Sequence, residues 1–181
     1  MDFEEYIEAL RSSLLVTAPD NNSNNGVRAA VMIILCPSAY GPKIGLIRRA
    51  KAQDAHSGQI SFPGGKIEQG ETPLQAALRE TMEEIGVAHD SLQVVGYLPI
   101  FNTISTGFMV WPVVSSVTAE PAIAIAPAEV AEFFWLPISF LENLRQLDPE
   151  VSLPGVMFEE KNIWGLTLRI LAQLARLVSP A

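Results

Sequence analysis

From His56 to Val87 the chain runs HSGQISFPGGKIEQGETPLQAALRETMEEIGV, a glycine-rich bend followed by a helix with explicit ends. In Phe62-Pro63-Gly64-Gly65, two glycines can adopt backbone angles closed to other residues, which lets the main chain approach a ligand and turn a carbonyl toward it. Thr72 is a good N-cap, Pro73 suits the first helical position, and Gln75 stands three residues after the cap, as a capping box requires. Leu74, Ala77, Leu78, Thr81 and Ile85 fall on one side of the helix and supply its buried face. Gly86 ends it as a C-terminal cap. On the other side Glu80, Glu83 and Glu84 stand at i, i+3 and i+4, near enough for their carboxylates to converge. Adjacent anions repel, and a hard divalent cation such as Mg²⁺ or Mn²⁺ removes that repulsion because it prefers oxygen ligands, the glycine carbonyl included. Arg79, beside the cluster, is placed to hydrogen-bond one carboxylate and hold its rotamer.

Outward from this stretch the chain divides simply. Phe3, Ile7, Leu10, Leu14 and Leu15 recur at helical spacing, so residues 1–19 read as an amphipathic N-terminal helix. Residues 20–26, DNNSNNG, have nothing apolar to bury and read as a flexible linker into a domain over 27–181. Strands are expected at Val27–Cys36, Lys43–Arg48, Leu92–Ile100, Gly107–Val117 and Val130–Leu136, and helices at Pro73–Ile85, Ile138–Leu147 and Ile163–Val178. Strands and helices mix without regular βαβ alternation, so the fold class is α+β, a mixed sheet covered by helices. The N-terminal helix is expected to cover the sheet or to join a homodimer, and Trp164 to pack the C-terminal helix on the sheet.

Composition narrows the function. With 181 residues, 49% of them hydrophobic, the chain is long enough to bury a core without staples. Twenty acidic against 12 basic residues give a net charge of -8, which argues against a protein that coats nucleic acid or anionic lipid. The longest apolar runs, near Ala29–Pro37 and Phe108–Val114, fall short of a membrane span. The first residues, MDFEE, are acidic where a secretory or mitochondrial leader would be basic. A single cysteine, Cys36, forms no internal disulfide and fits a reducing cytoplasm; it lies in an apolar strand, so a buried, inert thiol is expected. The expected location is cytoplasmic and the expected partner a small molecule.

A Glu-rich helix face is also what an ordinary solvated helix presents. The order of the surrounding residues separates the two readings. From Gly65, five residues precede Glu71, seven more precede Arg79-Glu80, and Glu83-Glu84-Ile85-Gly86-Val87 completes G-x5-E-x7-R-E-U-x-E-E-x-G-U, where U is apolar. This resembles the Nudix box of the Nudix hydrolase family, with Thr81 as the one departure, at the first apolar position. The resemblance implies an α/β/α sandwich with a mixed sheet and a pyrophosphatase that hydrolyses a nucleoside diphosphate linked to another moiety, using Mg²⁺ or Mn²⁺. Carried over by position, it makes Glu80 and Glu84 the principal metal ligands and Glu83 a further ligand or water-activating group. Gly65 gains a carbonyl role at the metal, and Arg79 and Glu71 become orienting residues. In such proteins a general base or further ligand often lies outside the box, and Glu129, in the loop before the strand at Val130, is the preferred candidate over Glu132.

A second resemblance concerns the substrate. Gly45-Leu46-Ile47-Arg48-Arg49-Ala50, followed by His56-Ser57-Gly58-Gln59-Ile60-Ser61-Phe62-Pro63-Gly64-Gly65, is similar to the extra motif of the coenzyme A pyrophosphatase branch, as are Glu129–Glu132 and Ile163–Leu171. It implies cleavage of coenzyme A or a derivative to 3′,5′-ADP and phosphopantetheine, with Arg48, Arg49 and His56 as substrate-binding residues. The branch usually carries an arginine where this chain has Asp54, which would repel a phosphate; Arg48, Arg49 and Lys51 are the compensating cations. Rival substrates are ADP-ribose, NADH and nucleoside triphosphates, and the rival of another class is a Nudix domain that senses a nucleotide without cleaving it.

Overall fold

The strand β1 (Val27–Cys36) is apolar at nearly every position, and it sits where a strand buried on both faces belongs. In the computed structural model, which describes residues 2–20, 26–50, 58–103, 107–150 and 154–177, β1 is the centre of an eight-stranded mixed sheet. One edge of β1 pairs in parallel with β7 (Phe108–Ser116) from Val27–Phe108 to Leu35–Ser116. The other edge is shared. At its far end Leu35 and Cys36 pair with Ile44 and Lys43 of β2 (Lys43–Arg49), while Ala29, Ala30 and Val31 pair with Lys66, Gly65 and Gly64 of β4 (Gly64–Lys66). The strands β1 and β2 therefore meet at their turn and diverge. Into the gap go β4 and β3 (Ile60–Ser61), the latter pairing with β2 at Ile47 and Arg48. The glycine bend is thus built into the middle of the sheet.

Beyond β2 lies β8 (Val130–Pro137), antiparallel, with a register shift at Arg48/Arg49. Beyond β7 lie β5 (Gln93–Tyr97) and β6 (Phe101–Asn102). A separate hairpin is made by β9 (Val156–Phe158) and β10 (Lys161–Ile163).

Alternation along β1 divides the core in two. Ala30, Met32, Ile34 and Cys36 pack with Ala76, Ala77 and Ile85 of helix α2 (Pro73–Ile85). Ile33 and Leu35 face the opposite layer, with Tyr6, Ile7, Leu10 and Leu14 of the α1 segment (helix Phe3–Ser13) and Leu168, Leu171 and Leu174 of α3 (Gly165–Leu177). The result is an α/β/α sandwich. The N-terminal helix covers the sheet, and the chain after it joins β5 through two backbone bonds, Leu15 N to Tyr97 O at 3.0 Å and Tyr97 N to Leu15 O at 2.9 Å. Among the described residues no helix is long and apolar enough to cross a membrane.

Several sequence expectations shift. Leu92–Ile100 contracts to Gln93–Tyr97, and Ile138–Leu147 is a 3-10 helix over Ile138–Leu144. The C-terminal helix starts at Gly165, because Ile163 belongs to β10, and Val178 lies outside the described residues. Trp164, expected to pack inside, is 46% exposed. Most of the 20–26 linker lies outside the described residues. Cys36 is buried and free, as its strand implies.

Candidate active site

Helix α2 is fixed at both ends by the residues that announce it. The Thr72 Oγ1 accepts from Gln75 N at 3.2 Å and the Gln75 Oε1 accepts from Thr72 N at 2.9 Å, closing the capping box. Gly86 takes a left-handed φ of 70° that ends the helix. Between them the small side chains of Ala76 and Ala77 bring the helix close to the sheet. Thr81, at an apolar position of the box, is fully buried and satisfies its hydroxyl by donating to Ala77 O at 2.7 Å. The buried face is rotated from the sequence expectation: Leu74 and Leu78 are only partly buried, whereas Glu84 is inside, its side chain 1% exposed.

That burial defines the site. One Glu84 carboxylate oxygen accepts from Gly64 N at 2.9 Å, and the other lies 3.6 Å from the Arg49 guanidinium. Glu80 lies against Gly65, where a Cβ would meet its carboxylate and push it aside. Glu129 arrives from the far side through a stitched loop. Ala126 N donates to Glu84 O at 2.9 Å, Glu129 N to Ala126 O at 2.9 Å, and Ala50 N to Glu129 O at 2.8 Å. As a result one carboxylate oxygen each from Glu80, Glu84 and Glu129 lie within 4.8 Å of one another.

Burial of Glu84 and Glu80 beside other carboxylates changes the proton affinity of these two. Burial pushes the Glu84 carboxyl up to about 7; the Gly64 amide and Arg49 counteract this, and Glu80 and Glu129 add to it. Glu80 is also raised, first by burial. The positive charge supplied by Arg49 is thus too little for the negative charge assembled. An all-oxygen donor set short of positive charge suits a hard divalent cation, which oxygens of Glu80, Glu84 and Glu129 could hold.

Arg79 organises the outer side of this cluster. Its Nε and Nη2 grip both oxygens of Glu71 at 2.8 and 3.1 Å, and Nη1 reaches Glu80 at 2.9 Å and Glu83 at 3.1 Å. Nη2 also donates to the Lys66 carbonyl at 3.0 Å, tying the helix to the end of β4. The hydrogen bonds from Arg79 and from Glu68 N hold the Glu71 carboxyl down at about 2. Glu71 in turn raises the Arg79 pKa. Arg79, expected to orient one carboxylate, holds three.

The other candidates scatter. Glu83 is half-exposed on the rim, turned to Arg79 and outside the three-oxygen group. Arg48 leaves the site to pair with Glu132 at 2.9 Å, and Lys161 takes the other Glu132 oxygen at 3.3 Å, so Glu132 is committed elsewhere. Of the two arginines only Arg49 faces the carboxylates. Lys51, Asp54 and His56 lie outside the described residues. His89 is exposed after the helix. Two participants were not foreseen, the Gly64 amide and the Arg49–Glu84 contact; the second was accessible from strand alternation, since Arg49 and the buried Ile47 share the α2 side of β2.

The NUDIX domain family model matches residues 26–153. Relatives include a protein of Photorhabdus laumondii named as an uncharacterised Nudix hydrolase, NudL, 36% identical over 172 residues that cover 88% of this chain and 89% of that one. Its namesake in Pectobacterium atrosepticum is 34% identical over 162 residues, covering 84% and 83%. Among solved structures, the NUDIX domain of Shewanella oneidensis NrtR complexed with ADP ribose aligns over 97% of both chains with a TM-score of 0.56 at 16% identity. The Ap4A hydrolase of C. elegans aligns over 65% of this chain and 84% of its own with a TM-score of 0.54 at 19% identity, a likeness of fold. A family match over most of the chain, with relatives above 30% identity along nearly its full length, makes this protein a member of the Nudix hydrolase family.

Proposed function

We propose that this Nudix hydrolase is a Mg²⁺- or Mn²⁺-dependent pyrophosphatase whose substrate is coenzyme A or a derivative, cleaved to 3′,5′-ADP and phosphopantetheine. The convergence of Glu80, Glu84 and Glu129 beside the Gly64-Gly65 backbone carries the metal-dependent part of this reading. The extra motif from Gly45 to Gly65 and the segment Ile163–Leu171, similar to the coenzyme A branch, support the substrate.

Glu80, Glu84 and Glu129 would hold a divalent ion, which when bound would supply charge neutralisation of the diphosphate and a more acidic water. The chain's own groups do the rest. Glu80 and Glu84 present the anionic face, kept in place by Arg79 on one side and by the Gly64 amide and Arg49 on the other. Glu129, on an exposed turn at the mouth, takes the proton as water oxygen bonds to phosphorus; Glu83 is the second candidate for this role. The P–O–P bridge breaks, and its electron pair leaves with the departing phosphate. Glu71 keeps Arg79 aimed, and His56 and Arg49 bind substrate phosphate.

Incubation with Mg²⁺ or Mn²⁺ and coenzyme A, 3′-dephospho-coenzyme A, ADP-ribose, NADH and nucleoside triphosphates tests this directly. The reading requires coenzyme A to have the highest kcat/KM. A higher value for ADP-ribose or NADH replaces the substrate, and no turnover of any diphosphate removes the enzymatic reading in favour of a nucleotide sensor.

A further inference from the structure

Ser61 departs from the other buried hydroxyls of this chain. Thr81 donates to Ala77 O at 2.7 Å, Ser115 to Ile33 O at 3.2 Å and Thr167 to Ile60 O at 3.0 Å. The Ser61 residue is only partly buried, yet its Oγ is sealed from solvent and makes no hydrogen bond among the described residues. Burying a hydroxyl without a partner is unfavourable, so such an atom calls for a physical reason. Its place supplies one. Ile60 and Phe62, on either side, belong to the core layer of α1 and α3, whereas Ile47, with which Ser61 pairs, belongs to the layer of α2. Alternation therefore turns Ser61 to the α2 side, the side of the carboxylates. Arg49, two residues beyond Ile47 on that face, is the diagonal neighbour of Ser61 at a spacing of about 7–8 Å. The Arg49 guanidinium lies 3.6 Å from one Glu84 oxygen, and Gly64, three residues after Ser61, donates to the other at 2.9 Å. Ser61 thus belongs to the same floor as the two groups that flank the Glu84 carboxylate.

We infer that Ser61 is a positioning residue for Glu84: in the metal-loaded protein its hydroxyl donates to the Glu84 carboxylate and holds the orientation in which that group meets a divalent cation. The inference rests on the reading of Glu80, Glu84 and Glu129 as a metal site, and not on the identity of the substrate. An ionised carboxylate offers about four acceptor positions. Among the described residues Glu84 accepts one hydrogen bond, from Gly64 N, and Arg49 at 3.6 Å is beyond hydrogen-bond length. Glu84 therefore has acceptor capacity to spare, and Ser61 has an unspent donor on the same side of the sheet. Carboxylates that ligate metals are held by hydrogen bonds from residues outside the ligand set. Arg79 does this for Glu80 at 2.9 Å. For Glu84 the Gly64 amide supplies one such bond, and the Ser61 hydroxyl supplies the second.

Two measurements without turnover test this. Calorimetric titration of Mn²⁺ into protein stripped with EDTA and dialysed should give Ser61→Ala an affinity about tenfold weaker than wild type, the low end of the effect of losing a group that orients a metal ligand. The melting temperature of Ser61→Ala in EDTA should equal or exceed that of wild type, because the substitution deletes an unpaired buried hydroxyl and breaks no hydrogen bond of the metal-free fold. A hydroxyl that only supports the fold would lower the melting temperature instead. Ser61→Thr keeps the hydroxyl and should bind Mn²⁺ more tightly than Ser61→Ala. Wild-type Mn²⁺ affinity in Ser61→Ala, a lower melting temperature of that variant in EDTA, or Ser61→Thr binding no more tightly than Ser61→Ala overturns the role of Ser61 and leaves the metal site standing. A wild-type protein that binds no Mn²⁺ removes the metal site itself, and the role of Ser61 with it.

Discussion

Glu84 carries two opposed demands. Its carboxylate is buried against the sheet, where ionisation is unfavourable, yet a divalent cation needs it ionised. Glu84→Gln keeps an oxygen to accept from Gly64 N and removes the charge. Without metal at pH 8 this variant should therefore melt at a higher temperature than wild type, while its turnover falls by roughly three orders of magnitude or more. A lower melting temperature in EDTA would mean that the Arg49 contact outweighs the burial penalty. Arg79 makes a different kind of prediction, because it satisfies three carboxylates and a carbonyl at once. Lysine brings a point charge that cannot reproduce a planar fork. Arg79→Lys should lower turnover by about 10–100-fold, the usual effect of disturbing groups that orient metal ligands, and raise the Mg²⁺ concentration needed for half-activity; a Mg²⁺ titration of rate reads both. Glu80 and Glu84 were legible in sequence because i, i+4 spacing is rigid geometry within one helix. Glu129 was legible only as a position before a strand, and the loop that carries it to the site depends on backbone bonds to the end of α2 that no local pattern encodes.

The elements differ in how openly the sequence declares them. Helix α2 has its cap, its N1 proline and its terminal glycine, and the long strands β1, β7 and β8 are runs of β-branched and aromatic residues. The strands β3 and β4 are only two and three residues long, β4 with two glycines, so they show no period; only the divergence of β1 from β2 makes them strands. Ile163 was assigned to a helix because its apolar neighbours continue the helical spacing of α3, and pairing with Val156 overrides that. Helix α1 was legible as amphipathic but not as a cover for the sheet, since its buried stripe fits a partner chain equally well. Leu10 is fully buried in the cluster with Ile33, Leu35 and Val95. Leu10→Ala should cost about 2–5 kcal/mol by creating a cavity in that layer, read as a lowered urea midpoint with an unchanged m-value. A cost below about 1 kcal/mol would show that α1 contributes little to the folded domain.

At the scale of the whole molecule the site writes its charge into stability. Glu84 has its carboxyl raised from 4.5 to about 7, so its contribution to metal-free stability is complete below about pH 4.5 and is lost as pH rises through about 7. Glu80 is shifted in the same direction. Glu71 runs the other way: held at about 2, it stabilises above pH 4.5 and loses that contribution as pH falls toward 2. Between pH 5 and 8 Glu71 is therefore constant, and the buried carboxylates of the metal cluster set the slope. On the proposed function, a divalent ion held there would bind their ionised form and add RT ln(1 + [L]/Kd) to stability, a term that grows as the protons leave. Melting curves taken from pH 5 to 8 in EDTA should fall with rising pH, and those in Mg²⁺ should separate upward from them as pH passes about 7. In Glu84→Gln the EDTA slope should flatten and the Mg²⁺ gap should close. A Mg²⁺ effect independent of pH, or one that persists undiminished in Glu84→Gln, would place the ion somewhere other than these carboxylates.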